Sequence, residues 1–159
     1  MRRLLTAVTW GDAVKMYLKL GLALALSYMT MFLLSMSMIR EWDHFYLNGS
    51  NAWMALVMVA PMGLIMIAVM WAMFENKALN AGLALAFVAV FAGALYLGRQ
   101  EAGVGNEQFL KSMIPHHSRA ILVCQEADIT DPEIAELCSE IVETQKKEIA
   151  QMKEILERY

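Results

Sequence analysis

The sequence predicts an all-α protein: three transmembrane helices followed by a soluble antiparallel helical hairpin. Three observations carry that prediction. Residues 20–38, 52–74 and 78–97 contain no charged side chain. Each run is long enough to cross a hydrocarbon core of ~30 Å as a helix, which takes about 20 residues. The charges concentrate instead in the last third of the chain. Residues 1–98 carry six basic and four acidic side chains, a net +2, while residues 99–159 carry seven basic and twelve acidic, a net −5. Third, residues 106–156 show helical periodicity with a turn in the middle.

Composition agrees. Of 159 residues, 58% are hydrophobic and fourteen are Met, against thirteen Lys plus Arg. Mean hydropathy is +0.44. These values exclude an intrinsically disordered chain, a disulfide-rich secreted mini-protein and a basic nucleic-acid binder. No nucleic-acid partner is expected, because the −5 segment offers no basic stripe. The expected organisation is a membrane domain over 1–98, with helices at about 18–39, 52–74 and 78–98, and an extracytoplasmic helical hairpin over 99–159.

The first span follows Arg2, Arg3, Lys15 and Lys19. Its apolar run exceeds the 7–15 residues of a signal-peptide core, so it reads as an uncleaved anchor. With the N-terminus inside, the inner side holds Arg2, Arg3, Lys15, Lys19 and Lys77, and the outer side Arg40, Arg99 and Lys111. The excess of inner positive charge orients the chain with a cytoplasmic N-terminus and a periplasmic tail. The expected setting is a bacterial inner membrane, with lipid around the spans.

The second span carries Met54, Met58, Met62, Met66 and Met70 at steps of four, then Met73; the first span adds Met29, Met31, Met36 and Met38. Thioethers are soft ligands, so a conduit for Cu(I) or Ag(I) is one reading. A step of four turns ~40° past a full rotation, so the stripe winds around the helix. Flexible apolar packing is therefore the favoured reading. Pro61 is expected to kink this helix. In the third span Ala78, Gly82, Ala86, Ala89 and Gly93 offer a small-residue face for close helix contact, within the chain or with a partner.

The tail reads as a helix over residues 106–127, capped by Asn106, and a second from Pro132 to about Leu156. Thr130-Asp131-Pro132-Glu133 matches a capping box. Folding the hairpin about residue 131 sets Cys124 opposite Cys138, His117 opposite Gln145, and Met113 opposite Glu148 or Ile149. The polar break of the second helix, Gln145 and Glu148, thus lands on the histidines of the first. Met113 and His117 are i, i+4 and share a face, with His116 to one side. Met113 and Met152 both fall on the inner seam. Pro115 is expected to bend the helix and re-aim both imidazoles. Imidazole and thioether suit copper, but a histidine pair packed in a helical core has the same spacing.

Cys124 and Cys138 form a disulfide or a thiol pair: a bridge is favoured in an oxidising compartment, a Cu(I) thiolate pair in the cytoplasm. A two-helix tail is small for independent folding. It calls for a second copy, making a four-helix bundle, or for a larger membrane complex.

Asn106-Glu107-Gln108-Phe109, Met113-Ile114-Pro115-His116-His117, Ala120-Ile121, and Gln145 with Glu148-Ile149 and Met152 resemble the bacterial domain of unknown function 305 (DUF305) family. Some members are copper-binding, CopM-like proteins, and a membrane-anchored subgroup carries Met-rich spans in front. The resemblance covers about residues 104–156. It implies a ferritin-like half-bundle and copper or silver handling outside the cytoplasm. By position it implies Met113, His116, His117 and Met152 as metal ligands, with Glu148 and Gln145 binding the ion or orienting its ligands. Members often have Asp at the place of Asn106 and Met at that of Val123, so this chain lacks a carboxylate and a thioether there.

The leading expectation is a membrane-anchored, non-catalytic copper-binding protein. The alternative is a structural accessory subunit of a larger membrane complex. An oxidase on the ferritin-like plan is disfavoured, since that plan uses Glu-x-x-His pairs and the tail has none.

Overall fold

The computed structural model describes residues 10–159, with side chains from residue 14. Arg2 and Arg3, used above for orientation, lie outside the described residues. Five α-helices follow in order: α1 Trp10–Ser35, α2 Gly49–Val69, α3 Lys77–Arg99, α4 Asn106–Glu126 and α5 Pro132–Leu156. A single 3-10 turn, Trp42–His44, lies between α1 and α2, and the described residues contain no strand. Three helices are long and apolar enough to cross a membrane: Val14–Ser35 within α1, then α2 and α3.

The α1 helix stops at Ser35, short of the end of its uncharged run. The Ser35 hydroxyl donates to the Phe32 carbonyl at 2.8 Å and Ser37 to that of Leu34 at 2.7 Å. These local bonds offer the backbone an alternative to another turn. The chain then runs irregularly to Asn48, whose side chain caps α2 by accepting from the Asn51 N–H at 2.9 Å. Asn76 caps α3 in the same way through Leu79.

In the apolar part α2 is central and packs on both α1 and α3. The Phe87 ring fills the notch left by Gly63, where an added Cβ would meet it at 2.8 Å. The Met stripe winds as its spacing requires. Met54 and Met58 are exposed, while Met62, Met66 and Met70 pack against a core of Leu20, Leu24, Val59, Ile67 and Phe74. The helix runs on through Pro61. At the α2–α3 turn, Tyr17 reaches across from α1 and donates to Asn80 Oδ1 at 2.6 Å, and its ring stacks on Phe74. The small-residue face of α3 is exposed, and an added Cβ at Gly82 or Gly93 would meet nothing within 4 Å.

The α4 and α5 helices pack side by side. The Cys124–Cys138 disulfide joins them near their turn, with Cα atoms 5.3 Å apart. His117 meets Glu148 midway, and Asn106 meets Tyr159 at the far end. These three pairings run antiparallel. The pair encloses Leu110, Ile114, Ile121, Ile149 and Met152, with Tyr46 from the α1–α2 segment packed against them.

Two caps differ from the sequence reading. Gly105, not Asn106, is the N-cap of α4, and Asn106 is the first helical residue. Its side-chain amide donates to the Tyr159 hydroxyl at 3.1 Å instead. On α5 the cap is Asp131 rather than Thr130: its carboxylate accepts from the N–H groups of Glu133 and Ile134. Asp131 directly precedes Pro132, so the proline takes a first-turn position where its missing N–H costs nothing.

The two halves are tied together. The linker between α3 and α4 turns through Glu101 and Gly103, both in the left-handed region at φ +48° and +80°. The Glu101 carboxylate accepts from Ser50 at 2.6 Å, and the Trp53 indole donates to the Ala102 carbonyl at 2.9 Å. Gln108 accepts from the Gly49 N–H at 2.9 Å. The start of α2 thereby holds the start of α4.

Candidate metal centre

His117 sits midway along α4, directly after the Met-Ile-Pro-His run, and its ring turns toward α5. Pro115 lies inside α4, and the helix continues through it. Nδ1 of His117 lies 3.0 Å from Oε2 of Glu148. Yet that nitrogen is buried and makes no aligned hydrogen bond, because the oxygen lies off its donor direction. Distance alone does not make a hydrogen bond when the angle is poor. The Gln145 amide donates to the same Glu148 oxygen at 3.2 Å. Gln145 therefore reaches His117 through Glu148, and the facing partner lies three residues beyond the one a simple fold about residue 131 selects.

Burial holds the His117 pKa below its usual range, against the opposing pull of the Glu148 carboxylate; His116 adds to the lowering. At neutral pH the ring is therefore neutral. A neutral imidazole has one nitrogen with a free lone pair, the form in which histidine binds metals. A buried nitrogen without a hydrogen-bond partner, 3.0 Å from a carboxylate oxygen, is the arrangement that two ligands of one ion adopt. The chemistry of the pair fits a transition-metal ion.

The other predicted residues divide around this pair. Met152 is buried in the α4–α5 core and Met113 packs against it. His116 is exposed on the neighbouring side of α4, its ring centroid 5.8 Å from that of His117 and tilted by 60°. Asn106 lies 11 positions before His117, about 16 Å along a helix that rises 1.5 Å per residue. The Cys124–Cys138 bond consumes both sulfurs, leaving no thiol pair to ligate.

Sequence reasoning missed the third histidine. His44 lies in the segment between α1 and α2 and is 6% exposed. Its Nδ1 lies 2.9 Å from the Ser118 hydroxyl, which is fully buried. The Arg40 N–H donates to the same hydroxyl at 2.7 Å. Ser118 then has its own hydrogen to give, so Nδ1 of His44 accepts it and Nε2 carries the ring proton. Asp43, beside it, pairs with the Lys153 ammonium of α5. Burial lowers the His44 pKa, as does the charge of Lys153, against Asp43 and Glu41. The ligand atoms of Glu41, Asp43 and His44 lie within 4.8 Å of one another. However, Lys153 already neutralises Asp43 and Ser118 occupies His44, so this group serves docking. Trp42-Asp43-His44 reads in sequence as mere polar punctuation between spans. Only its contact with Ser118 and Lys153 gives it a role.

The fold and the site define a class: an all-α chain with three helices apolar enough to cross a membrane and an appended helix pair carrying a His–Glu pair. Residues 97–156 match the family model described as "Domain of unknown function (DUF305)". An uncharacterized protein of Acanthamoeba polyphaga mimivirus is 37% identical over 65 residues, which cover 40% of this chain. The match spans 43% of that relative's length. No solved structure matches.

Proposed function

We propose that this chain is a membrane-anchored protein that binds a transition-metal ion, copper or silver, in its α4–α5 domain. The supporting observation is the buried, unpartnered Nδ1 of His117 beside Glu148. In this reading His117 and Glu148 hold the ion, Met113 and Met152 supply neighbouring thioethers, and Gln145 orients Glu148. His116 joins from the adjacent face. The metal supplies what a neutral imidazole and a carboxylate lack in each other: a shared partner for both lone pairs. The role is binding, buffering or handing over the ion rather than catalysis.

The location proposed is the bacterial inner membrane, with a cytoplasmic N-terminus and a periplasmic α4–α5 domain. The disulfide suits an oxidising compartment. Lys15, Lys19 and Lys77 lie toward the opposite side. A ferritin-like half-bundle that pairs with a second copy is the corresponding assembly. The uncovered small-residue face of α3 supports a helix partner within the membrane, either a second copy or a larger complex. If that partner is the whole purpose of the chain, no metal is bound.

The test is elemental analysis of the full chain purified in mild detergent, before and after equilibration with copper. The intact protein is expected to retain copper through dialysis, and His117→Ala with Glu148→Gln to lose an equivalent. Absence of copper from the intact protein, with a stoichiometric membrane partner copurifying, supports the structural reading instead.

A further inference from the structure

Residues 99–159 are acidic overall, yet three cations gather at one place on the α4–α5 domain. Arg40, from the segment between α1 and α2, and Lys146 and Lys153, from α5, line a cleft of about 310 Å³. Glu41 is the one carboxylate in its lining, and the buried Ile121 and Ile149 give it an apolar wall. His44 lines it too, as a polar side chain that is only 6% exposed. Its Nδ1 is taken by Ser118, which leaves the ring proton on Nε2. Oδ1 of Asp43 lies 3.7 Å from Nε2, too far for a hydrogen bond. Among the described residues no other acceptor meets that N–H.

We propose that this cleft binds a phosphate group, that of an anionic phospholipid at the membrane surface. The site is independent of the metal-binding reading and uses none of its residues. A phosphate diester carries one negative charge and accepts hydrogen bonds on its free oxygens. Two ammonium groups, a guanidinium and a neutral N–H donor suit it. These cations are not spent within the chain. Lys146 is exposed and forms no ion pair among the described residues. Arg40 has Glu126 at 3.8 Å, with the two side chains 45% and 65% exposed. A pair so open to water is worth little, so the guanidinium is free to turn to a better acceptor. Lys153 keeps Asp43 as its partner, and its ammonium has further hydrogens to give.

Position favours a lipid as the bearer of that phosphate. Arg40 and His44 belong to the segment that joins α1 to α2, two helices apolar enough to cross a membrane. Arg40 comes five residues after the end of α1 at Ser35, so it stands within about 17 Å of that end even along an extended chain. The same segment leaves Trp42 79% exposed, Met38 53% and Leu47 54%. A membrane–water interface covers such side chains, and Trp is favoured there. Basic pockets beside membrane helices suit anionic headgroups. The cleft is also held in shape, because the Ser118 hydroxyl accepts the Arg40 N–H at 2.7 Å and bonds His44 at 2.9 Å. A phosphate bound there would bridge the α1–α2 segment to α5, so headgroup binding and docking of the α4–α5 domain support each other.

The experiment titrates the full chain in mild detergent with phosphatidylglycerol, with zwitterionic phosphatidylcholine and with inorganic phosphate. Native mass spectrometry reads the bound molecules. The wild type is expected to hold phosphatidylglycerol in preference to the other two. Arg40→Gln with Lys146→Gln is expected to weaken that binding by about tenfold or more, the size of a lost charge-assisted hydrogen bond. Both side chains are exposed, and the backbone bond from Arg40 to Ser118 survives the change. Hydrogen exchange over residues 36–48 checks that docking persists. Gln125→Glu, at an exposed position in the same lining, is expected to weaken binding with every cation still in place. Lys147→Gln with Arg158→Gln removes two positive charges outside the lining and is expected to bind as the wild type does. Wild-type affinity in either cleft variant, or equal weakening by the Lys147 and Arg158 pair, would overturn the proposal. Equal retention of phosphatidylcholine overturns the anionic headgroup, and preference for inorganic phosphate assigns the cleft to a free anion and overturns the lipid.

Discussion

Ile114 and His117 stand on the same helix and illustrate what a single position decides. Ile114 is fully buried between α4 and α5, among Leu110, Ile149 and Met152. Ile114→Ala removes methyl groups that neighbours cannot replace, and it is expected to destabilise the α4–α5 pair by about 2–5 kcal/mol. Val123→Ala, on an exposed position of the same helix, is expected to stay within about 0.5 kcal/mol of the wild type. Denaturant unfolding of the full chain in detergent, read by hydrogen exchange in α4, measures both. Equal effects of the two would contradict the core described here. At this scale the sequence was informative for Met113, His117 and Met152, because helical spacing alone sets them on one seam. It set His116 to one side of that seam, but it was silent on His44, since spacing does not say what a side chain meets across space.

Helix ends follow local chemistry, and the helix pair follows its cross-link. Asn48, Asn76 and Asp131 cap three helices through their own side chains. Gly105 begins α4 without such a bond, so that helix start leans on Gln108 and the clamp to α2. The disulfide between Cys124 and Cys138 closes a loop with a sequence separation of 14. Its chief effect is to limit the freedom of the unfolded helix pair, which is worth about 3 kcal/mol for a loop of this size. Reduction, or Cys124→Ser with Cys138→Ser, is expected to lower the unfolding midpoint of α4–α5 and to raise exchange at the turn over residues 127–131. An unchanged midpoint would show that packing alone holds the pair. Facing cysteines were legible from the hairpin register. The oxidised state was one of two open readings until the chain brought the sulfurs together.

At the scale of the molecule, the α4–α5 domain covers its underside with the chain's own α1–α2 segment. Tyr46 joins its core, His44 meets Ser118, and Asp43 pairs with Lys153. This docking depends on pH. His44 has a folded pKa below the ordinary value of 6.5, so between those two values the unfolded or undocked chain binds more protons. Stability linked to His44 is then fully present above 6.5 and is lost as pH falls through the lowered value. Protonation also strands the Ser118 hydrogen in a site without solvent. Hydrogen exchange over residues 36–48 is expected to rise, beyond its intrinsic pH dependence, as pH falls below 6.5. His117 titrates with the same sign, so His44→Gln isolates the docking part: its pH dependence in that window should flatten. A variant with the wild-type profile would assign the effect elsewhere. Asp43 acts in a separate, more acidic window. Lys153 lowers its pKa below 3.8, so its contribution is present above that value and is lost as pH falls through the lowered one.

The sequence by itself determined the helices, the three apolar runs, the acidic helix pair behind them and the seam of Met and His within it. These follow from periodicity and charge, which act over a few neighbouring residues. The tertiary structure alone decided that His117 meets Glu148 rather than Gln145, and that His44 docks on Ser118. Those choices depend on contacts between residues roughly 30 to more than 70 positions apart, such as His117 with Glu148 and His44 with Ser118. Such contacts form only when whole helices have buried their apolar faces, and no local pattern encodes them.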